Sequence, residues 1–234
     1  MQILGSPSKV FSKPLTTVAI ILWVLCFTVQ PTAFAQQFAN FSFDGLQRIH
    51  DAPVEIAYID PEADFSVFTR VMILEPHVAF RSNWQRDQNR RRSRNINARD
   101  VDRIKADVAS FFMQVFSQNL QFNDGYEIVD EADYNVLLLR PAIINLDISS
   151  PDVAASGRSR TATASAGAAT LTIELFDSVS GKIIGRASDR QTGRAAGGTV
   201  SWNNRVMNRA EGRRIFSHWA EQLRTFLDQH YMKK

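Results

Sequence analysis

The chain has 234 residues, 44% of them hydrophobic and 22% charged, with a formal net charge of +3. That balance belongs to a folded chain with a core and excludes a disordered or fibrous one. Beyond residue 35 there are 25 Lys and Arg against 24 Asp and Glu, net +1, so no overall charge points to nucleic acid or to an acidic membrane, and any electrostatic role must come from local clustering.

Residues 1–35 read as a cleavable secretory signal. Lys9 and Lys13 make the start basic, Thr16 to Val29 is an uncharged and mostly apolar run of 14 residues, and Ala33-Phe34-Ala35 is a small-x-small cleavage pattern. A membrane-spanning helix needs about 20 apolar residues, more than this run supplies. The only cysteine, Cys26, follows Leu25 where a lipoprotein signal needs a small residue. Cleavage after Ala35 leaves a chain with no cysteine, which excludes a disulfide framework, a thiolate zinc site and a cysteine nucleophile, and with no segment able to span a membrane as a helix.

Residues 36–64, with Pro53 and Pro61 and no sustained period, read as an extended N-terminal arm. Residues 65–234 read as one domain. Val71-Met72-Ile73-Leu74 is a dense apolar run, expected as a strand buried on both faces, with Pro76 marking its end or a bulge. Arg81 to Asn95 is polar and arginine-rich, expected as a loop. Asn97 is a helix N-cap with Asp100 three positions on, a variant capping box. Val101, Ile104, Val108, Phe111, Phe112, Val115 and Asn119 then recur at helical spacing, and Asn123-Asp124-Gly125 ends that helix, the glycine expected in the left-handed exit conformation.

Tyr126 to Val129 is a short strand and Tyr134 to Ile148 a longer one, with Pro141 as an edge or bend. Ser149 to Gly167 is rich in small residues and reads as a loop, or as an edge strand over Ser159 to Ser165. Leu171, Ile173 and Leu175 alternate with Thr170, Thr172 and Glu174, the pattern of a half-buried strand. Asp177 to Gly181 is turn chemistry, and Lys182 to Asp189 returns as the hairpin partner. Thr192 to Asn204 is loop-like. Val206 to His230 carries Phe216, Trp219, Ala220, Leu223, Phe226, Leu227 and His230 on one helical face. The order gives an α+β fold: a single, mostly antiparallel sheet of about five strands with two amphipathic helices packed on one face.

Four stretches carry a family resemblance: Val71-Met72-Ile73-Leu74 with Trp84 after it; Gly125-Tyr126-Glu127-Ile128-Val129; Ala155-Ser156-Gly157-Arg158-Ser159-Arg160-Thr161; and Leu171 to Asp177 with its Ser180-Gly181 turn and the Arg186-Ala187-Ser188-Asp189-Arg190 return. On these the chain resembles the bacterial family known as domain of unknown function 3313, a group of exported, often lipid-anchored proteins. The resemblance implies an envelope location. It implies no established activity and brings no catalytic residues with it.

Two segments stand out as candidate contact sites. Arg81, Arg86, Arg90, Arg91, Arg92 and Arg94 face only Asp87, a local charge of +5. Guanidinium forks pair bidentately with phosphate and carboxylate, and Trp84 offers a stacking or interfacial foothold. This stretch is either a contact for an anionic envelope surface or an acidic envelope protein, or a solvated loop whose arginines pair with Asp100 and Asp102. The second segment holds Arg158 and Arg160 among small residues. It is either an exposed edge for strand addition or an internal hairpin of the sheet. Trp202, in its Gly/Asn loop, either caps the core, the favoured reading, or marks a contact surface.

The histidines are scattered, no serine sits in a G-x-S-x-G elbow and no glycine-rich loop has phosphate-cradle spacing. The expectation is therefore a non-enzymatic periplasmic or envelope-associated binding or assembly protein with no metal, no cofactor and no nucleic-acid partner. The alternative is a hydrolase acting on an envelope polymer or lipid, with Asp177 and Asp189 brought together across their hairpin.

Overall fold

The computed structural model describes residues 42, 44–90, 95–148, 161–163, 167–193, 201–203 and 205–231. Its centre is the antiparallel trio β6 (Val136–Asp147), β8 (Ala168–Asp177) and β9 (Ile183–Thr192). Of the three, β8 is the one whose alternation is plain in the sequence. In β8 the odd positions Ala169, Leu171, Ile173 and Leu175 are buried and join Leu137, Leu139 and Ile143 of β6 in one core. The even positions face the other way, where Glu174 is bracketed by Arg140 at 2.5 Å and Arg186 at 3.1 Å, and Arg186 reaches on to Asp44 at 2.7 Å.

The sheet is larger than expected and mixed. Its eight strands run β1 (Gln47–Ile49), β2 (Ile56–Ile59), β9, β8, β6, β3 (Arg70–Ile73) and β5 (Glu127–Ile128), with β4 (His77–Phe80) also on β6. β3 and β4 both pair in parallel with the same edge of β6, and β5 pairs in parallel with β3. Pro76 breaks that edge between β3 and β4, as its missing N–H requires. Pro141 sits inside β6, opposite Ile173. Strand residues two apart turn their backbone groups to the same side. Leu139 accepts from the Leu74 N–H, so Pro141 turns its donorless nitrogen to the same broken edge. Two prolines thus mark one gap, and neither forfeits a ladder bond.

Three further expectations are corrected. Residues 36–64 are not simply an arm: β1 (Gln47–Ile49) and β2 (Ile56–Ile59) form an antiparallel pair, and β2 adds to β9. Leu46, just before β1, is almost fully buried. β3 is buried on one face only, since Val71 and Ile73 point inward while Leu74 is 41% exposed. Of the segment Ser159 to Ser165 the described residues 161–163 form a strand with one open edge, as the edge-strand reading expects, but it is not a hairpin of the main sheet. Its β7 (Thr161–Thr163) pairs antiparallel with β10 (Ser201–Asn203) in a separate two-stranded sheet. That strand arises inside the stretch expected to be loop, and Trp202 lies in it, opposite Ala162; its side chain lies outside what is described.

Among the described residues three α-helices pack with the sheet. α1 (Trp84–Arg90) is short and falls where a loop was expected. α2 (Ala98–Gln121) opens with the anticipated capping box: the Asn97 side chain accepts from the Asp100 N–H at 3.0 Å, and the Asp100 carboxylate accepts from the Asn97 N–H at 3.2 Å. α3 (Arg205–Tyr231) runs alongside α2. Phe112, Val115, Phe116 and Leu120 of α2 and Phe216, Trp219, Ala220 and Leu227 of α3 close the core over the sheet. Each such large side chain contributes about 1.5–3 kcal/mol on burial. Trp219 is also tied to β9, its indole N–H donating to Asp189 at 2.9 Å.

The two long helices are parallel. Phe111 of α2 packs on Phe216 of α3, and the Arg224 guanidinium, farther along α3, donates to the Phe122 and Asn123 carbonyls just past the end of α2. Both helices therefore start at one end of the molecule and finish at the other. The starting end is that of α1, the end of β6 and the start of β8. The finishing end holds β5, the start of β6 and the β8–β9 turn.

Candidate functional site

α1 and what surrounds it form the strongest candidate contact surface. The segment is not a free polar loop because its polar side chains hold it to the core. The Trp84 ring is 1% exposed and stacks on Phe80 at 3.8 Å, with planes 9° apart. Its indole N–H donates to the Ile148 carbonyl at 3.0 Å, and the Gln88 amide donates to the same oxygen at 3.2 Å. On the other side Asn89 brackets Ile96: its carbonyl accepts from the Ile96 N–H at 2.7 Å and its amide donates to the Ile96 carbonyl at 3.1 Å. Gln85 donates to that carbonyl as well, at 2.8 Å. Asn83 takes a left-handed φ of 62° to turn the chain into the helix, a conformation asparagine tolerates better than most residues.

With Trp84 and Gln88 turned inward, Arg86 and Arg90, four apart, stand together on the exposed side of α1. With Gln85 and Asn89 they line an open surface hollow of about 490 Å³. Among the described residues neither arginine is held by an ion pair. Arg81 is different: it bridges Asp87 at 2.8 Å and Asp147 at 2.9 Å. Those carboxylates keep its guanidinium more basic than usual, and Arg81 in turn holds Asp87 below the ordinary carboxylate range. Arg81 is thus a strut, and among the described residues of this segment the exposed charge is that of Arg86 and Arg90. The expected pairing of this stretch with Asp100 and Asp102 is not made by Arg81, Arg86 or Arg90; Asp100 is bridged by Arg103 at 2.9 Å.

Trp84 is a correction. As a fully buried, stacked and hydrogen-bonded ring it fixes α1 to the core, and it is not a surface foothold. Arg91, Arg92 and Arg94 lie outside the described residues, as do Arg158 and Arg160 and the cleavage residues Ala33 and Ala35. Ile148, whose carbonyl anchors both Trp84 and Gln88, is the residue from which the chain departs toward Arg158 and Arg160. β7 pairs with β10, which leads directly into α3. Exposed Arg99 near the start of α2, Arg190 near the end of β9 and Arg209 early in α3 lie in the same half of the molecule. Sequence reading missed these three because they are far apart in the chain; only the parallel course of the helices unites them.

Asp177 and Asp189 are not brought together. Asp177 accepts from the Val179 and Ser180 N–H groups at 3.0 and 2.7 Å, and these donors, Ser180 first, hold it below the ordinary carboxylate range. Asp189 sits opposite Leu171 and accepts from Trp219, Gln191 and the Glu55 N–H. Six residues of β8 separate the two levels, roughly 20 Å at strand rise. His230 packs between Phe65 and Phe226, ring centres 5.6 and 4.3 Å away, as a core neighbour. Among the described residues no group of three or more His, Cys, Asp or Glu is placed to hold a metal ion, and no helix is long and apolar enough to cross a membrane.

Residues 34–223 match the family model described as "Protein of unknown function (DUF3313)", and the chain belongs to that family. No curated protein matches the sequence. Among solved structures it is similar to the PelC dodecamer from Paraburkholderia phytofirmans, at 10% identity and a TM-score of 0.35 over 71% of this chain and 96% of that one. It is also similar to a putative neuraminyllactose-binding hemagglutinin homolog from Helicobacter pylori, at 13% identity and a TM-score of 0.36 over 70% and 88%. A third is a DUF4136 family protein from Bacteroides thetaiotaomicron, at 13% identity and a TM-score of 0.30 over 70% and 93%.

Proposed function

We propose that this DUF3313 member is an exported, non-enzymatic envelope protein that binds a phosphate-bearing anionic surface through its arginine end. The observation that carries the reading is the build of α1. Six side-chain contacts from Trp84, Gln85, Gln88 and Asn89 hold a seven-residue helix to the core, and what that anchoring presents to solvent is Arg86 and Arg90 beside an open hollow. A helix this short has no stability of its own, so its order is imposed by the core. A charged surface held rigid loses little conformational entropy on binding, and guanidinium groups match phosphate oxygens in a fork geometry. The signal-like N-terminus supports an envelope setting, where such surfaces are plentiful.

The test is sedimentation with phosphatidylglycerol vesicles against phosphatidylcholine vesicles. The protein is expected to bind the anionic vesicles alone. A basic residue near an anionic surface contributes about 1 kcal/mol, so Arg86→Ser with Arg90→Ser should weaken binding roughly 30-fold. Equal binding to both vesicle types, or no effect of the double substitution, contradicts the reading.

A further inference from the structure

The finishing end of the molecule is the electrical opposite of the arginine end. Between Asp124 and Asp133 the chain carries five acids and no base; all five are exposed, and with Asp133 bridged by Arg70 at 2.6 Å the presented acids are Asp124, Glu127, Asp130 and Glu131. Their place is fixed: β5 pairs with the start of β3, and Asp133 is hydrogen-bonded to the β8–β9 turn through Ser178. In the other half the exposed charges include Arg86, Arg90, Arg99, Arg190 and Arg209 beside the acids Glu55 and Asp102, and the basic excess is concentrated on α1, where Arg86 and Arg90 stand together. The parallel helices add to this separation. α2 and α3 point their positive N-terminal ends toward the arginines and their negative C-terminal ends toward the acids, about half a charge at each terminus.

The acidic end is also where large apolar side chains are most exposed. Tyr134 is 75%, Val179 66% and Phe122 65% open to solvent, while the remaining exposed large apolar residues of the described chain lie near 40%. The Ser178–Asp133 hydrogen bonds set the turn of Val179 beside the loop of Tyr134. Exposed apolar side chains rimmed by polar residues mark interaction sites, aromatic residues and arginine are enriched in interfaces, and guanidinium groups stack on aromatic faces. Arg209 and Arg213 already do so within this chain, over Phe111 at 5.3 and 5.5 Å.

We propose that the acidic, aromatic end of one copy docks on the arginine end of a second copy. This rests on reading the arginine end as a binding surface and names a partner for it. Because the two poles lie at opposite ends of the molecule, the contact is head-to-tail. It leaves one pole of each kind unused in a pair, so association continues into a chain or closes into a ring.

Sedimentation velocity of protein produced from the full 234-residue sequence, in about 10 mM and about 1 M salt, spans screening lengths from ~30 to ~3 Å. Species of twice the protomer mass or more are expected at low salt, with association at least about tenfold weaker at high salt. Asp130→Lys with Glu131→Lys, and separately Arg86→Glu with Arg90→Glu, should each sediment as monomer, and an equimolar mixture of the two variants should associate again through the swapped pair. Far-UV circular dichroism checks the fold of each, and serine at the same positions replaces any reversal that fails to fold. Wild-type monomer at low salt overturns the inference, as does association that persists in either variant. Monomer that still sediments with anionic vesicles overturns it and leaves the arginine-end reading standing; loss of both removes both.

Discussion

Replacing Trp84 with alanine is expected to lower stability by about 3–5 kcal/mol, the range for a large buried aromatic. Trp84 is the pin between α1 and the body. Its ring is buried with Ile96 and Ile104 in a small satellite core, stacked on Phe80 and bonded to the Ile148 carbonyl. Removal empties that core and leaves Ile148 with the Gln88 donor alone. Because α1 lacks an apolar stripe, it should lose its order before the sheet does. The expected signature is an early urea transition, seen by hydrogen exchange over residues 84–90, ahead of the global one. Trp84→Phe, which keeps a ring against Phe80 and removes only the N–H, should cost about 1 kcal/mol beyond its lost packing. Equal stability of the alanine variant and wild type contradicts the assignment of Trp84 to the core.

The second large effect is expected at Gly125. The Tyr126 N–H donates to the Leu120 carbonyl at 2.9 Å, and this brings the chain back against the last turn of α2. A Cβ on residue 125 would lie 2.0 Å from that carbonyl oxygen and 3.1 Å from the Arg224 guanidinium. Backbone cannot give way as a side-chain tip can, so Gly125→Ala should destabilise by about 3 kcal/mol or more. Gly181 is the contrasting site: φ is +67° and a Cβ there meets nothing within 4 Å, so its alanine variant should cost only about 1 kcal/mol, the left-handed penalty alone. Paired urea midpoints decide between them; equal losses at the two positions contradict the steric account.

The glycine also shows where sequence reasoning stops. Asn123-Asp124-Gly125 is correctly read as the end of α2. Yet the left-handed conformations belong to Asn123 at φ 48° and Asp124 at φ 52°, and the glycine is needed for close approach. Composition announces a turn; it does not say which of three permissive residues bends. The capping box, the alternation of β8 and the apolar faces of both long helices are local patterns, and they are legible because burial on one face imposes a period of 2 or 3.6. Strands β1, β2 and β10 have three or four residues each, too few for any period to declare itself. Their existence depends on β9 and β7 offering an edge.

The same logic applies to the arginine end. Its densest run is visible as charge in the sequence. That Trp84 is an anchor while Arg86 and Arg90 are the presented groups depends on Ile148 and Ile96, 64 and 12 residues away along the chain from Trp84. No local pattern encodes that. The acidic run Asp124 to Asp133 is not among the sequence-read candidates, and its opposition to the arginines exists only once α2 and α3 are seen to run in parallel.

The account depends most on where the protein works. Fractionation of the native host with intact-mass measurement of the protein tests this directly. The predicted result is recovery with the envelope fraction, at a mass corresponding to a chain that begins at Gln36 and carries no lipid. Recovery from the cytosol at 26.4 kDa, with Met1 in place, would contradict it and leave the arginine end without the surface it is proposed to meet.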